Sequence, residues 1–408
     1  MKSEKPWLKI ALVYLLLFVS GSQRFMLSSD TLLVVAFLGT FVIWLFYTDR
    51  TISNRFVLYV TVFSGFLLII HLYTGGSLSV TSVVASTLKL VLAYFILKIV
   101  GHEFTETYVK VVVVLAAISL FGYLVDSTNL LGTAYRALPS VGMGGYEGYE
   151  GFLYVFGFRH HIDRNNSIFY EPGAYQIFLN VALFMLLLLK TRFTQKQQWI
   201  YIAILLSALI TTFSTTGFLI FATMFGLFLM ESTVISANAK LALVSVLVAV
   251  ALLFSAQFQE VIFAKIEDLL DVKDITDSSN LRSFDALVDM EIFRRNIFGV
   301  GYDTYSKMVS AIGLIREGQF SSNGITISLA IYGLPFTLFL FGSYFLALRR
   351  LLRGFILSAI SFGMLMMFFV GESYYVFSPF CLSLIAAAFI YNGSREKENE
   401  PAESVVTG

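Results

Sequence analysis

Long apolar runs alternate with short polar stretches along most of the chain. A helix needs about 20 mostly apolar residues to cross a bilayer, and backbone groups in lipid must hydrogen-bond within their own segment. The pattern therefore predicts an all-α polytopic membrane protein with about twelve transmembrane helices. The predicted spans are 7–22, 31–47, 56–73, 79–100, 107–125, 173–190, 199–213, 216–231, 240–257, 324–348, 354–370 and 375–391.

The composition agrees with a membrane location. Of the 408 residues, 57% are hydrophobic and only 13% are charged, whereas a soluble domain carries about 25% charged residues. The net charge of +1 gives no overall field that would attract nucleic acid. The one cysteine, Cys381, cannot form an internal disulfide, and the sequence has no Cys/His spacing for a zinc site.

Lysine and arginine in the short loops predict the orientation, because cytoplasmic loops are enriched in them. With the N-terminus inside, the short external loops hold only Arg24. Both termini are then cytoplasmic. The basic residues assigned to the inside are Lys2, Lys5, Lys9, Arg50, Arg55, Lys98, Lys110, Lys190, Arg192, Lys196, Lys240, Arg349, Arg350, Arg353, Arg395 and Lys397.

Two long segments interrupt the alternation, and both fall outside in this topology. Long loops in a compact protein usually carry function. These two loops hold ten of the 28 lysines and arginines, and seven of the ten are arginine. The predicted organisation is 1–125 N-terminal transmembrane helices, 126–172 first large external loop, 173–257 central transmembrane helices, 258–323 second large external loop, 324–391 C-terminal transmembrane helices and 392–408 cytoplasmic tail.

Arginines in these loops suit an anionic substrate. A guanidinium gives bidentate, charge-assisted hydrogen bonds and stays protonated. Basic groups at a membrane face also bind lipid headgroups, so the alternative is ordinary lipid contact. The arginines considered for a substrate diphosphate are Arg159, Arg164, Arg282, Arg294 and Arg295.

The end of the first loop leads directly into a predicted helix. Pro172 suits the first helical turn, and Glu171 then lies near the positive helix N-terminus. One interpretation is a helix cap paired with Arg164. The other is a carboxylate and a guanidinium that face a sugar substrate at the external membrane surface.

Three further polar positions have competing interpretations. His160 and His161 are adjacent, so on an extended segment they point to opposite sides and are not expected to share a metal ion; a general base or a plain loop histidine remains. Glu372 lies at an external helix end, where it is either functional or simply exposed to solvent. Lys89 lies in mid-span and needs a carboxylate or hydroxyl partner.

Three segments resemble those of a known family. Residues 164–180, RNNSIFYEPGAYQIFLN, resemble the segment that follows the first large external loop of Wzy-type oligosaccharide repeat-unit polymerases. Residues 282–305, RSFDALVDMEIFRRNIFGVGYDTY, resemble the second-loop signature that these polymerases share with O-antigen ligases. Residues 322–334, SNGITISLAIYGL, resemble the start of the next span, and the Ser/Thr-rich hairpin 211–217 also fits.

The resemblance implies a GT-C-like membrane glycosyltransferase of the bacterial cytoplasmic (inner) membrane that makes O-antigen, capsule or exopolysaccharide without a metal or cofactor. Its substrates would be undecaprenyl-diphosphate-linked oligosaccharides, joined at the periplasmic or extracellular face. Membrane lipid, a chain-length regulator and a flippase would be its partners, with no role for nucleic acid.

The resemblance and the loop chemistry together suggest residue roles. Arg282 and Arg164 would bind the diphosphate, assisted by Arg159, Arg294 or Arg295. Glu171, then His160 and His161, are the candidates for the general base. The remaining candidates for substrate binding are Tyr170, Tyr302, Asn323 and Glu372.

Two alternatives stay open. An O-antigen ligase is the first, but related ligases carry a histidine where this chain has Ser322. A transporter or lipid-linked sugar flippase is the second. Transporters tend to place polar groups near the bilayer midplane, whereas here they gather in the two external loops.

Overall fold

The computed structural model describes residues 5–27, 29–141, 147–157, 164–189, 191–231, 281–311, 321–352 and 354–391. The helices in these ranges are α1 Pro6–Phe18, α2 Gln23–Leu27, α3 Ser29–Tyr47, α4 Asn54–Tyr73, α5 Val80–Val100, α6 Phe104–Ser127, α7 Pro172–Leu188, α8 Gln195–Thr211, α9 Thr215–Glu231, α10 Leu281–Arg295, α11 Tyr302–Ala311, α12 Gly324–Leu351, α13 Phe355–Gly371 and α14 Pro379–Ile390.

The described part of the chain is mostly helical and apolar, as expected for a helical membrane protein. Within it, five stretches are long and apolar enough to cross a bilayer: Asp30–Tyr47, Asn54–Tyr73, Val80–Ser127, Gly324–Leu351 and Ser373–Ile390. The third stretch contains both α5 and α6, which a break at Gly101 separates. The predicted span 240–257 lies outside the described residues, so the count of twelve stays a prediction.

The first predicted span, 7–22, is longer than the helix. Helix α1 ends at Phe18, and the chain then turns at Gly21, whose φ is +144°. A Cβ atom at Gly21 would collide with the hydroxyl of Tyr375. A close approach of two distant segments therefore ends the helix early.

The first long loop contains a small departure from the all-α prediction. Strands β1 (Tyr149–Glu150) and β2 (Val155–Phe156) form an antiparallel hairpin. Glu150 Oε2 accepts hydrogen bonds from the backbone N–H groups of Leu153 and Tyr154, at 2.8 and 2.9 Å. The Arg24 guanidinium lies 4.2 Å from the centre of the Phe152 ring and fixes the hairpin over the start of the bundle.

Helix α12 contains a break that receives part of the second loop. Gly333 has φ +79° and ψ 170°, and Pro335 follows it inside the helix. Ahead of the break, the carbonyl groups of Ala330 and Ile331 accept hydrogen bonds from Val300 N and Gly301 N, both at 3.0 Å. The loop backbone thus supplies donors to two carbonyl groups that the broken helix leaves without an N–H partner, since Pro335 has no N–H to offer Ile331 O.

This docking requires glycine at residue 299. Gly299 has φ +84°, and a Cβ there would lie 2.5 Å from the Ile331 carbonyl oxygen and 2.6 Å from Gly333 N. Both neighbours are backbone atoms that cannot rotate away. Beyond the turn, Asp303 N and Thr304 N bond to Ser77, so the loop is also fastened to the α4–α5 connection.

We predict that Gly299→Ala lowers the thermal midpoint of the purified protein in detergent. Strain at such a backbone costs about 1–3 kcal/mol, and the collision with α12 adds to it. Gly342→Ala, in the same helix α12 with no atom near its Cβ position, is the matched control and should leave the midpoint unchanged or raise it. Equal midpoints for the two variants would show that the docking does not stabilise the fold.

Candidate functional site

The connection between α13 and α14 lies at the centre of the site; we call residues Glu372–Phe377 the junction segment. Glu372 is extended (φ −145°, ψ 91°), and Ser373–Phe377 form a 3-10 turn. Ser378 then caps α14, because its Oγ accepts the N–H of Cys381 at 3.2 Å. The sequence favours this arrangement, since serine followed by proline is a common helix start.

The end of the first loop is a buried polar segment. Asn165, Asn166 and Ser167 are each at most 2% exposed. Asn165 Oδ1 accepts Ser167 N at 3.0 Å, and Asn166 Nδ2 donates to Phe169 O at 2.7 Å. These side chains serve the fold, since they hold the segment in a turn with Ser167 at φ +54°.

Arg164 is placed against the α8–α9 hairpin. Its Nε donates to the carbonyl oxygen of Thr212 at 2.9 Å. Asn165 adds two hydrogen bonds to Thr211, from its N–H to the carbonyl oxygen at 2.8 Å and from Nδ2 to the hydroxyl at 2.9 Å. The Ser/Thr-rich hairpin therefore holds the segment around Arg164 in place through hydrogen bonds.

Pro172 begins α7, as predicted. Glu171 is the residue just before the helix, and its carbonyl oxygen accepts the N–H groups of Ala174 and Tyr175. Its side chain makes no capping hydrogen bond. The Glu171 carboxylate thus lies at the positive end of α7 without being used as a cap.

Two carboxylates that are distant in sequence meet around Gly173. A Cβ atom on Gly173 would collide with Glu372 Oε1, and Glu171 Oε1 lies 3.8 Å from the same point. Glu372 is only 5% exposed, so the expectation of simple solvent exposure is wrong. Its Oε2 accepts the hydroxyl of Tyr170 at 2.8 Å, a hydrogen bond that joins the first loop to the junction segment.

Aromatic rings complete this pocket. The Tyr170 ring lies 6.4 Å from that of Tyr375 and 6.1 Å from that of Tyr374. Burial, strengthened by the charges of Glu372 and Glu171, raises the pKa of Tyr170 well above its ordinary value, so its hydroxyl stays protonated and donates. The mid-span cation Lys89 faces the same cluster, with its Nζ 5.4 Å from the Tyr374 ring centre.

Two hydroxyl groups in the cluster are notable. Within the described ranges, the buried hydroxyls of Tyr374 and Tyr375 have no hydrogen-bond partner. A buried polar group without a partner is costly, so such groups often mark a place where a ligand or water completes the bonding. The cluster thus brings together two carboxylates and three phenol groups, and the hydroxyls of Tyr374 and Tyr375 are the groups that a polar ligand could engage.

The end of the second loop borders the same junction segment. A Cβ on Gly324 would lie 2.8 Å from Phe369 O and 2.9 Å from Ser373 Cα. Asn323 immediately precedes α12, and its Oδ1 accepts Ile325 N at 3.1 Å and Thr326 N at 3.2 Å. The side-chain oxygen of Asn323 thus caps helix α12, although the sequence suggested a substrate-binding role for this residue.

A buried carboxylate fixes α10 to the start of α12. Asp289 is 0% exposed and accepts the hydroxyls of Tyr305 at 2.6 Å and Thr326 at 2.7 Å. Burial raises the pKa of Asp289 in spite of these hydrogen bonds. Nearby, Ser322 N donates to Asp285 Oδ2 at 3.3 Å, so the position that distinguishes ligases is also tied to α10.

The remaining candidates are not brought to the carboxylate pair by any contact in the described part of the chain. Arg295 pairs with Glu291 at 2.7 Å on an exposed face, where Arg294 is also exposed. Tyr302 begins α11 and is 38% exposed, and burial of the rest of the ring raises its pKa to about 12. Arg282 lies in the first turn of α10, but its side chain, with Arg159, His160 and His161, lies outside the described residues.

Several residues of the pocket were missed by sequence reasoning. Gly173, Tyr374 and Tyr375 give no local signal of a role, because their importance comes from contacts with residues far along the chain. Asp289 lies inside the segment that resembles the family signature, yet nothing in its spacing separates it from the exposed carboxylates of α10.

Comparisons with protein-family models and with curated proteins give no match for this chain. Among the described residues, no group of three or more His, Cys, Asp or Glu side chains is arranged to hold a metal ion. The function is therefore inferred from the pocket and from the resemblance of the quoted segments.

We predict a pH-dependent stability that arises from Asp289. Because its pKa is raised in the folded state, the native protein holds a proton that the unfolded chain has released between the two pKa values. Protonation then favours the fold, and this contribution is lost as the pH rises through the raised pKa. The thermal midpoint of the wild type minus that of Asp289→Asn should therefore fall as the pH rises above about 4, the ordinary pKa of an aspartate.

Asp303→Asn is the control for this measurement. Asp303 is exposed on α11, so its substitution should give a difference that varies much less with pH. A flat difference for Asp289→Asn as well would contradict a buried, protonatable carboxyl at the contact between α10 and α12.

Proposed function

We propose that this protein is a membrane polymerase that joins lipid-diphosphate-linked oligosaccharide repeat units at the external face of the bacterial cytoplasmic membrane. The proposal rests on one observation: segments next to both long loops contact the junction segment. Tyr170, from the end of the first loop, bonds to Glu372, and Gly324, the first residue of α12 directly after the second loop, packs on Ser373. The end of the first loop and the start of the helix after the second loop therefore meet at the junction segment.

The chemistry of the pocket suits transfer of a sugar to a hydroxyl group. The acceptor hydroxyl attacks the anomeric carbon of the growing chain, a new glycosidic C–O bond forms, and the C–O bond to the lipid diphosphate breaks. Glu171 accepts the hydroxyl proton. A general base contributes about 10²–10⁴ in rate, and the energy stored in the glycosyl diphosphate makes a nucleotide unnecessary.

Glu372 has a different role from Glu171 in this mechanism. It is nearly fully buried and already holds the hydroxyl of Tyr170, so we assign it to sugar binding and to positioning Tyr170. Carboxylates and aromatic rings together suit a sugar. The carboxylates accept hydrogen bonds from sugar hydroxyl groups, and the aromatic rings pack against the apolar face of the sugar ring. Tyr374 and Tyr375 would supply such faces and two hydroxyl donors.

The leaving diphosphate requires positive charge. We assign this to Arg282 and Arg164, with Arg159, Arg294 or Arg295 assisting. Arg164 Nε donates to Thr212 O, which holds this arginine against the α8–α9 hairpin. Loss of one such donor costs about 2.7–4 kcal/mol of transition-state stabilisation, or 10²–10³ in rate.

We predict that Arg282→Ala abolishes long polymer in cells, while Arg282→Lys restores only part of it. Lysine keeps the charge but loses the planar fork of arginine. Polymer length on gels is the readout, after equal membrane levels of the variants have been confirmed. Polymer of wild-type length from both variants would remove Arg282 from the mechanism.

We also predict that Glu171→Gln lowers the polymerisation rate about 10²–10⁴-fold without lowering the thermal midpoint. The assay is reconstitution of the purified protein with one lipid-linked repeat unit, scored for longer products.

We predict that Gly173→Ala also inactivates the protein in this assay, because its Cβ would displace the Glu372 carboxylate. Gly363→Ala, in α13 with open space at the Cβ position, is the matched control and should retain activity.

The same assay separates the proposal from its alternatives. A polymerase extends a single purified repeat unit, whereas a ligase needs a different acceptor and leaves the repeat unit unchanged. A flippase would move the substrate across the liposome membrane without forming a glycosidic bond. Unchanged repeat units from an intact, correctly folded wild type would reject the polymerase assignment.

A further inference from the structure

A cavity of about 510 Å³ lies in the half of the bundle opposite the junction segment. Its location follows from the chain direction, because α7, α12 and α14 start beside the junction segment and run toward the cavity. The walls are mostly apolar, which suits a hydrocarbon chain. Representative wall residues are Val181, Met224, Leu348, Leu365, Leu384 and Ala387.

The open end of this cavity carries polar and cationic groups. Arg350 lies at the last turn of α12, His102 between α5 and α6, and Tyr391 just after α14, and all three line the cavity. The same end of the bundle is rich in basic residues. Among them are Lys9, Arg50, Lys98, Arg192 and Arg349.

Two side chains that line the cavity each have a polar oxygen atom without a hydrogen-bond partner among the described residues. Asn180 is 2% exposed and Ser361 is 6% exposed, and both line the cavity. Asn180 donates through Nδ2 to Gln176 Oε1 at 2.9 Å and to Gly217 O at 3.1 Å. Within the described part of the chain, Asn180 Oδ1 and Ser361 Oγ have no hydrogen-bond partner, so an empty, dry cavity would leave both unsatisfied.

We infer that this cavity binds one anionic phospholipid of the membrane, with an acyl chain between α7 and α14 and the phosphate at Arg350. The apolar walls favour the chain, and the basic end of the bundle favours a negative headgroup. Water in the cavity would satisfy Asn180 Oδ1 and Ser361 Oγ. The site is separate from the carboxylate pocket, so the inference does not depend on the proposed function.

The test is native mass spectrometry of the delipidated protein titrated with phosphatidylglycerol or with phosphatidylcholine. We expect the anionic lipid to bind about fivefold more tightly, because a headgroup with net negative charge gains about this much from one nearby arginine. Both lipids carry a phosphate, but the choline cation of phosphatidylcholine offsets its charge. Arg350→Gln should therefore remove most of the preference. Arg349→Gln is the matched control, since Arg349 is exposed and does not line the cavity. It should keep the preference.

Two variants fill the cavity from different helices, in case one fails to fold. Leu384→Trp and Val181→Phe should each reduce binding of both lipids at least about fivefold, whereas Leu338→Trp, on a surface where Leu338 is 62% exposed, should not. Equal binding of the two lipids would overturn the anionic headgroup. Unchanged binding in either cavity-filling variant that keeps the wild-type thermal midpoint would overturn the cavity as the site.

Discussion

Backbone groups that leave a helix inside an apolar bundle must find hydrogen-bond partners within the protein, because lipid offers none. Two segments of this chain meet that requirement at the same end of the bundle. The segment before α7 bonds to the α8–α9 hairpin and, through Gln23 N and Ile168 O, to the turn after α1. The turn at Gly299 supplies donors to the broken helix α12. Each of the two long loops is therefore held by irregular backbone in other parts of the bundle.

This constraint also explains the chemistry of the site. Once α13 ends at Gly371, the junction segment must be covered, and the ends of both loops cover it. Burial of Glu372 is acceptable because Tyr170 donates to it. The result is a cluster of carboxylates and aromatic rings that joins residues 202 positions apart in the sequence.

Much of the fold could be predicted from the sequence, because hydropathy and the length of a span report directly on burial in lipid. Helix α7 and the place of Pro172 and Glu171 followed from local rules for helix starts. The early end of α1 could not be predicted, since it depends on the contact between Gly21 and Tyr375. The cap formed by Asn323 could have been predicted, because asparagine before an apolar helix favours that role. The family resemblance implied substrate binding at this residue instead.

The proposed mechanism requires both long loops to lie on the outer side of the membrane. The sole cysteine, Cys381, is buried, so new cysteines can be labelled selectively. Glu147→Cys in the first loop, Lys307→Cys in the second and Lys196→Cys at the opposite end of the bundle would be treated with a membrane-impermeant maleimide in intact spheroplasts. The account predicts labelling of the first two from outside, and of the third only after permeabilisation. Labelling of either loop only after permeabilisation would contradict it.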